Sequence, residues 1–198
     1  MNRRPLLLAA LATPLLALLS ACEQGPQFKT TDVTGASYGK SLKLLDHTGK
    51  LRTLADFQGK VVVIFFGYTN CPDVCPTSLM MIKEAMQLMG PDADRVQTLF
   101  VSVDPKRDTP ERLALYMNAF DPRFLALTGS EAEIAVVAKE FKVFYEKKGD
   151  IANNRYTIDH TAGCYVFGPD GRARLFARHG ETPARLAADL KLLLNESH

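Results

Sequence analysis

Cys71 and Cys75 lie in the stretch Phe65-Phe66-Gly67-Tyr68-Thr69-Asn70-Cys71-Pro72-Asp73-Val74-Cys75-Pro76, between an apolar run and a segment with helical periodicity. A thiol at that position meets backbone N–H groups carrying partial positive charge. Thiolate is then favoured over thiol, and the sulfur is ready either to attack a disulfide or to bind a metal. Spacing separates the two chemistries. A redox motif proper has two residues between its cysteines, and here there are three. Cysteines at i and i+4 share one helical face, so the sulfurs can converge on one ion or close into a disulfide. A third donor is offered by Tyr156-Thr157-Ile158-Asp159-His160, just ahead of an apolar segment that begins near Gly163. If that segment runs as a strand beside the cysteine-bearing one, His160 faces both sulfurs. Two sulfurs and one nitrogen suit soft copper(I), with room for a further ligand on copper(II). Zinc prefers four donors and is served less completely. A thiol-disulfide oxidoreductase is the main alternative; a structural disulfide and a thiol peroxidase are further ones, and the last leaves His160 without a role.

The elements that must position these groups follow from patterning. Residues 42–54 read as a hairpin turning at Asp46-His47-Thr48-Gly49, and 61–66 as a β-branched and aromatic strand buried on both faces. Residues 77–89 place Leu79, Ile82, Met86 and Met89 at helical spacing, and 98–103 form a second buried strand. Asp108-Thr109-Pro110-Glu111 starts a helix over 110–120, and Ser130 with Glu133 is a capping box opening another through Ile134, Val137 and Phe141. A short strand at 143–147, a polar loop at 149–155 and a hairpin of 164–167 with 173–177 precede a last helix over 182–194. The order predicts an α/β fold, thioredoxin-like, with a mixed sheet flanked by helices and an N-terminal β-hairpin.

The chain has 198 residues, enough for one domain. Arg3 and Arg4 precede an apolar run, 6–19, too short to span a membrane comfortably, so 1–21 reads as a signal peptide. It ends in Leu19-Ser20-Ala21-Cys22, which resembles the bacterial lipobox, in which the cysteine is acylated and becomes the new N-terminus. The expected organisation is therefore a signal at 1–21, a flexible tether at 22–39 and a globular domain at 40–198, anchored through a lipid on Cys22 and facing the periplasm or the extracellular side. Removal of the signal takes away two arginines and no acids, so the formal charge of +2 falls to about zero. The remaining basic residues form no stripe, which argues against nucleic acid as a partner. With Cys22 lipidated, Cys71, Cys75 and Cys164 remain, an odd number that cannot all pair within one chain. Cys164, inside an apolar strand, is expected to be a buried, inert thiol.

At the level of motifs the sequence resembles the SCO/SenC family of copper-binding proteins. The resemblance rests on the CxxxCP motif at 71–76, the pair Asp159-His160, and the segment Val101-Ser102-Val103-Asp104-Pro105-Lys106-Arg107-Asp108-Thr109. It implies that Cys71, Cys75 and His160 bind copper. It further implies that the protein delivers copper to the dinuclear copper site in a subunit of cytochrome c oxidase, or reduces the cysteines of that site. Asp104 and Asp159 are expected to neighbour the site, Asp159 by hydrogen-bonding or tuning it, and Arg107 and Asp108 to serve the following helix. Met80, Met81, Met86 and Met89 invite a copper reading, but helical spacing assigns Met86 and Met89 to the core. His47, His179 and His198 are expected to be solvated, and the protein to be a monomer.

Overall fold

The computed structural model describes residues 27–39 and 42–196. A short strand, β1 (Thr31–Asp32), is followed by a hairpin of β2 (Lys43–Asp46) and β3 (Leu51–Thr53), then β4 (Val61–Gly67), α1 (Val74–Met89) and β5 (Val96–Ser102). Next come α2 (Pro110–Phe120), β6 (Leu125–Thr128), α3 (Glu131–Glu140), β7 (Tyr145–Asp150) and β8 (Arg155–His160). The chain closes with β9 (Gly163–Phe167), β10 (Ala173–Arg178) and α4 (Pro183–Asn195).

Eight strands form one mixed sheet in the order β1-β10-β9-β4-β5-β6-β2-β3. Strand β4 has no polar side chain, and all of its residues are buried between β9 and β5. It runs parallel to β5 through the α1 crossover and antiparallel to β9, with Phe65 opposite Cys164. This is the adjacency that the sequence argument for His160 required. Helix α1 packs on α4 and touches α2, and its inward residues Leu79, Ile82, Ala85, Met86 and Met89 join the core. The expected caps are present. Thr109 Oγ1 accepts from Arg112 N ahead of Pro110, and Ser130 with Glu133 makes the reciprocal pair at α3.

Four expectations about the arm and the elements need correction. The tether predicted over 22–39 is not free along its length, because from Lys29 onward it is docked on the fold. The N–H groups of Lys29 and Thr30 donate to the buried Asp189 carboxylate on α4 at 2.9 and 2.8 Å, and β1 pairs with β10. These contacts use backbone and one distant acid, which composition does not reveal. Second, β6 was not expected, although it pairs with both β5 and the β2–β3 hairpin. Third, the polar loop predicted at 149–155 is shorter, a turn over 151–154, and it joins β7 to a strand, β8, that was not expected. β7 and β8 form a separate two-stranded ladder, their turn reached through Gly149 (φ 115°) and Asn154 (φ 57°). Charged residues on both strands disguise the pattern. Fourth, α1 begins at Val74, so Cys75 belongs to its first turn.

The histidines also divide. His47 is half-buried and its Nδ1 accepts the Ala126 N–H at 3.1 Å, tying the first hairpin's turn to β6 rather than pointing into solvent. His179 is exposed, with Nδ1 3.3 Å from Ser78 Oγ. His198 and Cys22 lie outside the described residues.

Candidate metal centre

The end of β4, the start of α1 and the end of β8 meet beyond the C-terminal end of the central strand. Cys71 is half-buried in the loop after β4, and its sulfur accepts the N–H of Cys75 at 3.4 Å. Cys75 is fully buried, its sulfur 3.3 Å from His160 Nε2. The donor atoms of Cys71, Cys75 and His160 all lie within 4.8 Å of one another, and all three cysteines among the described residues are free thiols. Metal–sulfur and metal–nitrogen bonds run to roughly 2.0–2.3 Å, so three donors at this separation fit around one ion. A cleft of about 450 Å³, lined by Tyr68, Cys71, Pro72, Ile158, Asp159 and His160 among others, gives access from outside.

Each donor is shaped by its surroundings. The His160 ring stands edge-on to Phe65 and Tyr68, with centroids 6.0 Å away in both cases. His160 Nδ1 lies 3.1 Å from the Thr161 carbonyl. A carbonyl only accepts, so Nδ1 carries the hydrogen and the Nε2 lone pair points to the sulfurs. That is the tautomer a metal ligand needs, fixed by the hydrogen bond on the far nitrogen.

The thiols are pushed apart. Hydrogen bonding from Cys75, opposed by burial and helped by the N–H groups of Asp73 and Cys75, holds the Cys71 thiol far below its usual range. The Cys71 sulfur beside it and then burial push Cys75 upward, so it keeps its proton. A half-buried thiolate is thus backed by a fully buried thiol. Gly67 makes room for that second sulfur, because a Cβ there would stand 2.8 Å from Cys75 Sγ and 2.9 Å from Phe100.

Of the residues expected beside the site, Asp159 is exposed on the cleft wall, and the imidazole's hydrogen bond goes to Thr161 instead. Asp104 is fully buried, bound by Arg107 and by the Tyr156 hydroxyl at 2.7 Å. Arg107 and Asp108, assigned from sequence to the helix that follows, turn back toward the site instead. Asp108 accepts from Thr69 Oγ1 and Ser102 Oγ, both at 2.6 Å. Thr69, Tyr68 and Tyr156 were not singled out; the available signal was the polar cluster 104–108 directly after a buried strand. Cys164 is buried as expected, and burial raises its thiol to about 12. Met86 and Met89 are core residues, and Met80 is exposed on α1.

The model of the SCO1/SenC family matches residues 30–195. The chain belongs to the SCO1/SenC family. Among its relatives, bovine (Bos taurus) protein SCO2 homolog, mitochondrial, is 38% identical over 167 residues, covering 82% of this chain and 63% of that protein. The chain therefore spans less than two thirds of the length of that relative. ScoI of Bradyrhizobium japonicum, solved with copper bound, is 45% identical with a TM-score of 0.72, over 78% of this chain and 98% of that one. Apo Sco1 from Thermus thermophilus is 40% identical with a TM-score of 0.75, over 84% and 97%. The thioredoxin-like α/β architecture expected from element order is the one these SCO1/SenC structures share.

Proposed function

We propose that this SCO1/SenC protein is a copper metallochaperone that holds one copper ion between Cys71, Cys75 and His160 and passes it on by ligand exchange. The observation that carries this reading is the convergence of two sulfurs and a correctly tautomerised imidazole within 4.8 Å. The copper-bound relative from Bradyrhizobium japonicum supports the choice of metal. Two sulfurs with one nitrogen satisfy copper(I), and the open cleft leaves room for a further ligand on copper(II). The cargo's destination is the copper-accepting subunit of cytochrome c oxidase. The protein works as a monomer held to a membrane by a lipid on Cys22, facing the periplasm or the extracellular side. Among the described residues no helix is long and apolar enough to cross a membrane.

Titration of the reduced protein with copper(I) and with copper(II), followed by absorbance and electron paramagnetic resonance, tests the site. One equivalent is expected to bind, with nitrogen coupling that is lost in His160→Ala. A parent that takes up no copper, or a His160→Ala variant with the parent's spectrum and affinity, rejects the assignment.

The asymmetry of the two thiols favours a second reading, reduction of the acceptor's cysteines. The Cys71 thiolate would attack the partner's disulfide, displacing one partner thiolate and forming a mixed disulfide. Cys75 would then lose its proton, with His160 Nε2 at 3.3 Å to take it. Its attack on Cys71 Sγ releases the partner's second thiolate and leaves a Cys71–Cys75 disulfide, two electrons having passed to the partner. A Cys71/Cys75 potential too high to reduce such a disulfide counts against this reading and leaves the metal reading intact.

A further inference from the structure

Strands β7 and β8 hydrogen-bond to each other and not to the eight-stranded sheet. The distance from His160 to the two sulfurs is therefore not set by ladder register, as the placement of β4 against β9 is. Something else must hold the hairpin that carries the imidazole at its working distance. Side chains from the connection between β5 and α2 reach that hairpin.

We propose that residues 104–112 form a bracket that sets the spacing of the metal centre, Arg107 positioning His160 and Asp108 positioning Cys71. This rests on the copper reading of the site. The bracket is itself tightly turned, because the N–H groups of Arg107 and Asp108 both donate to the Asp104 carbonyl, at 3.1 and 3.0 Å. On one side, the Arg107 guanidinium pairs with the Asp104 carboxylate, donates from Nη1 to the Tyr156 carbonyl at 2.8 Å, and lies 3.5 Å over the Tyr156 ring. The Tyr156 hydroxyl closes the loop by donating to Asp104 at 2.7 Å. Tyr156, Ile158 and His160 alternate along β8 and share one face, so gripping Tyr156 orients His160. The Ile158 N–H, donating to the Tyr68 hydroxyl at 3.1 Å, adds a second grip between them. On the other side, Asp108 accepts from the Thr69 N–H at 3.1 Å and from its hydroxyl at 2.6 Å, and Arg112 bonds the Asn70 side chain. Thr69 and Asn70 lead directly into Cys71.

The cluster is a poor device for stability alone. The Asp104 and Arg107 side chains are 0% and 9% exposed, and Arg107 Nη2 is buried without a hydrogen-bond partner. Desolvation of such a pair cancels most of its attraction. What it does provide is a fork that touches a carboxylate, a carbonyl and a ring at once, a geometry that lysine cannot copy.

Arg107→Lys in the full-length chain is the test, since lysine keeps the charge beside Asp104 and loses the fork. Copper affinity is expected to fall about tenfold or more, the usual effect of removing a group that orients a ligand. Nitrogen coupling in the copper(II) spectrum weakens with it, and in the metal-free protein the amides of residues 156–160 exchange faster. In a His160→Ala background the same substitution costs nothing further. Asp108→Asn is expected to change the alkylation rate of Cys71 while leaving the nitrogen signal in place. Parent-like affinity and nitrogen coupling in Arg107→Lys overturn the bracket, and so does an equal loss in the His160→Ala background. Should Arg107→Lys fail to fold, Tyr156→Phe removes only the hydroxyl bond to Asp104. Unchanged exchange at 156–160 together with unchanged copper affinity in that variant rejects the proposal as well. The exchange measurement needs no metal, so it judges the bracket even if the parent proves not to bind copper.

Discussion

Between Cys71 and Cys75, solvent and charge divide the labour, and alkylation kinetics can read the division. With its pKa lowered, Cys71 stays ionised as the pH falls through the range where an ordinary thiol, at about 8.5, takes up its proton. Its reaction with iodoacetamide is expected to lose little rate between about pH 8 and 6, while Cys75 stays unreactive throughout. Cys75→Ala removes the hydrogen-bond donor that contributes most to that depression, so the pH-rate profile of Cys71 is expected to move upward. A profile that does not move shows that Cys75 is not what holds the thiolate. Gly67 offers a steric test of the same sulfur. Gly67→Ala places a methyl group 2.8 Å from Cys75 Sγ, and overpacking of this kind costs about 1–3 kcal/mol. Chemical denaturation is expected to show that loss, accompanied by weakened copper uptake because Cys75 has nowhere to retreat.

Turns and hairpins carry more of this fold than their composition suggests. The β2–β3 turn is organised by Asp46, whose buried carboxylate accepts from the Thr48 N–H and hydroxyl, the Lys50 N–H and Arg52 Nε. Burial alone would raise its pKa, but the hydrogen bonds from Thr48, Arg52 and Lys50 outweigh it and hold the group at about 2, against an ordinary 3.8. A carboxylate depressed in the folded state stabilises above its unfolded pKa, and that contribution disappears as the pH falls through the folded value. The loss is expected between about pH 4 and pH 2 and amounts to about 2 kcal/mol, at roughly 1.4 kcal/mol per pKa unit. Asp46→Asn should flatten this part of the stability–pH curve, measured by denaturation at each pH. An unaltered slope assigns the acid sensitivity elsewhere. The β7–β8 hairpin is the contrasting case. It lies outside the main ladder and depends on Tyr156, Ile158 and the 104–112 connection for its seat.

Across the whole molecule, the docked arm changes how the fold meets its proposed anchor. Asp189 on α4 receives Lys29 N, Thr30 N and Thr30 Oγ1, so under the proposal of a lipid on Cys22 the anchor stands at most roughly 25 Å from Lys29. Asp189→Ala is expected to cost about 1–3 kcal/mol, because it leaves Thr30 donors unpaired, and to speed amide exchange at 29–33. Unchanged exchange there means β1 holds the arm by itself. Much of the fold is legible in the sequence. The unbroken apolar run at 61–66 places itself at the centre of a sheet, the Thr109-Pro110 and Ser130/Glu133 signals start helices where they are found, and the position of Cys71 and Cys75 at the junction of that strand with the following helix is a local property of the chain. Chemistry of this kind is written in nearest neighbours, so sequence alone determines it. Sequence could place His160 near the sulfurs only through an inferred strand order. The 3.3 Å contact with Cys75, the tautomer set by Thr161 and the turning of Arg107 and Asp108 toward the site needed the tertiary structure. The contact with Cys75 and the turning of Arg107 and Asp108 join groups far apart in the chain, while the Thr161 carbonyl is a neighbour whose orientation is set only by the folded backbone; all depend on how the hairpin and the connecting loops pack, which no local pattern records.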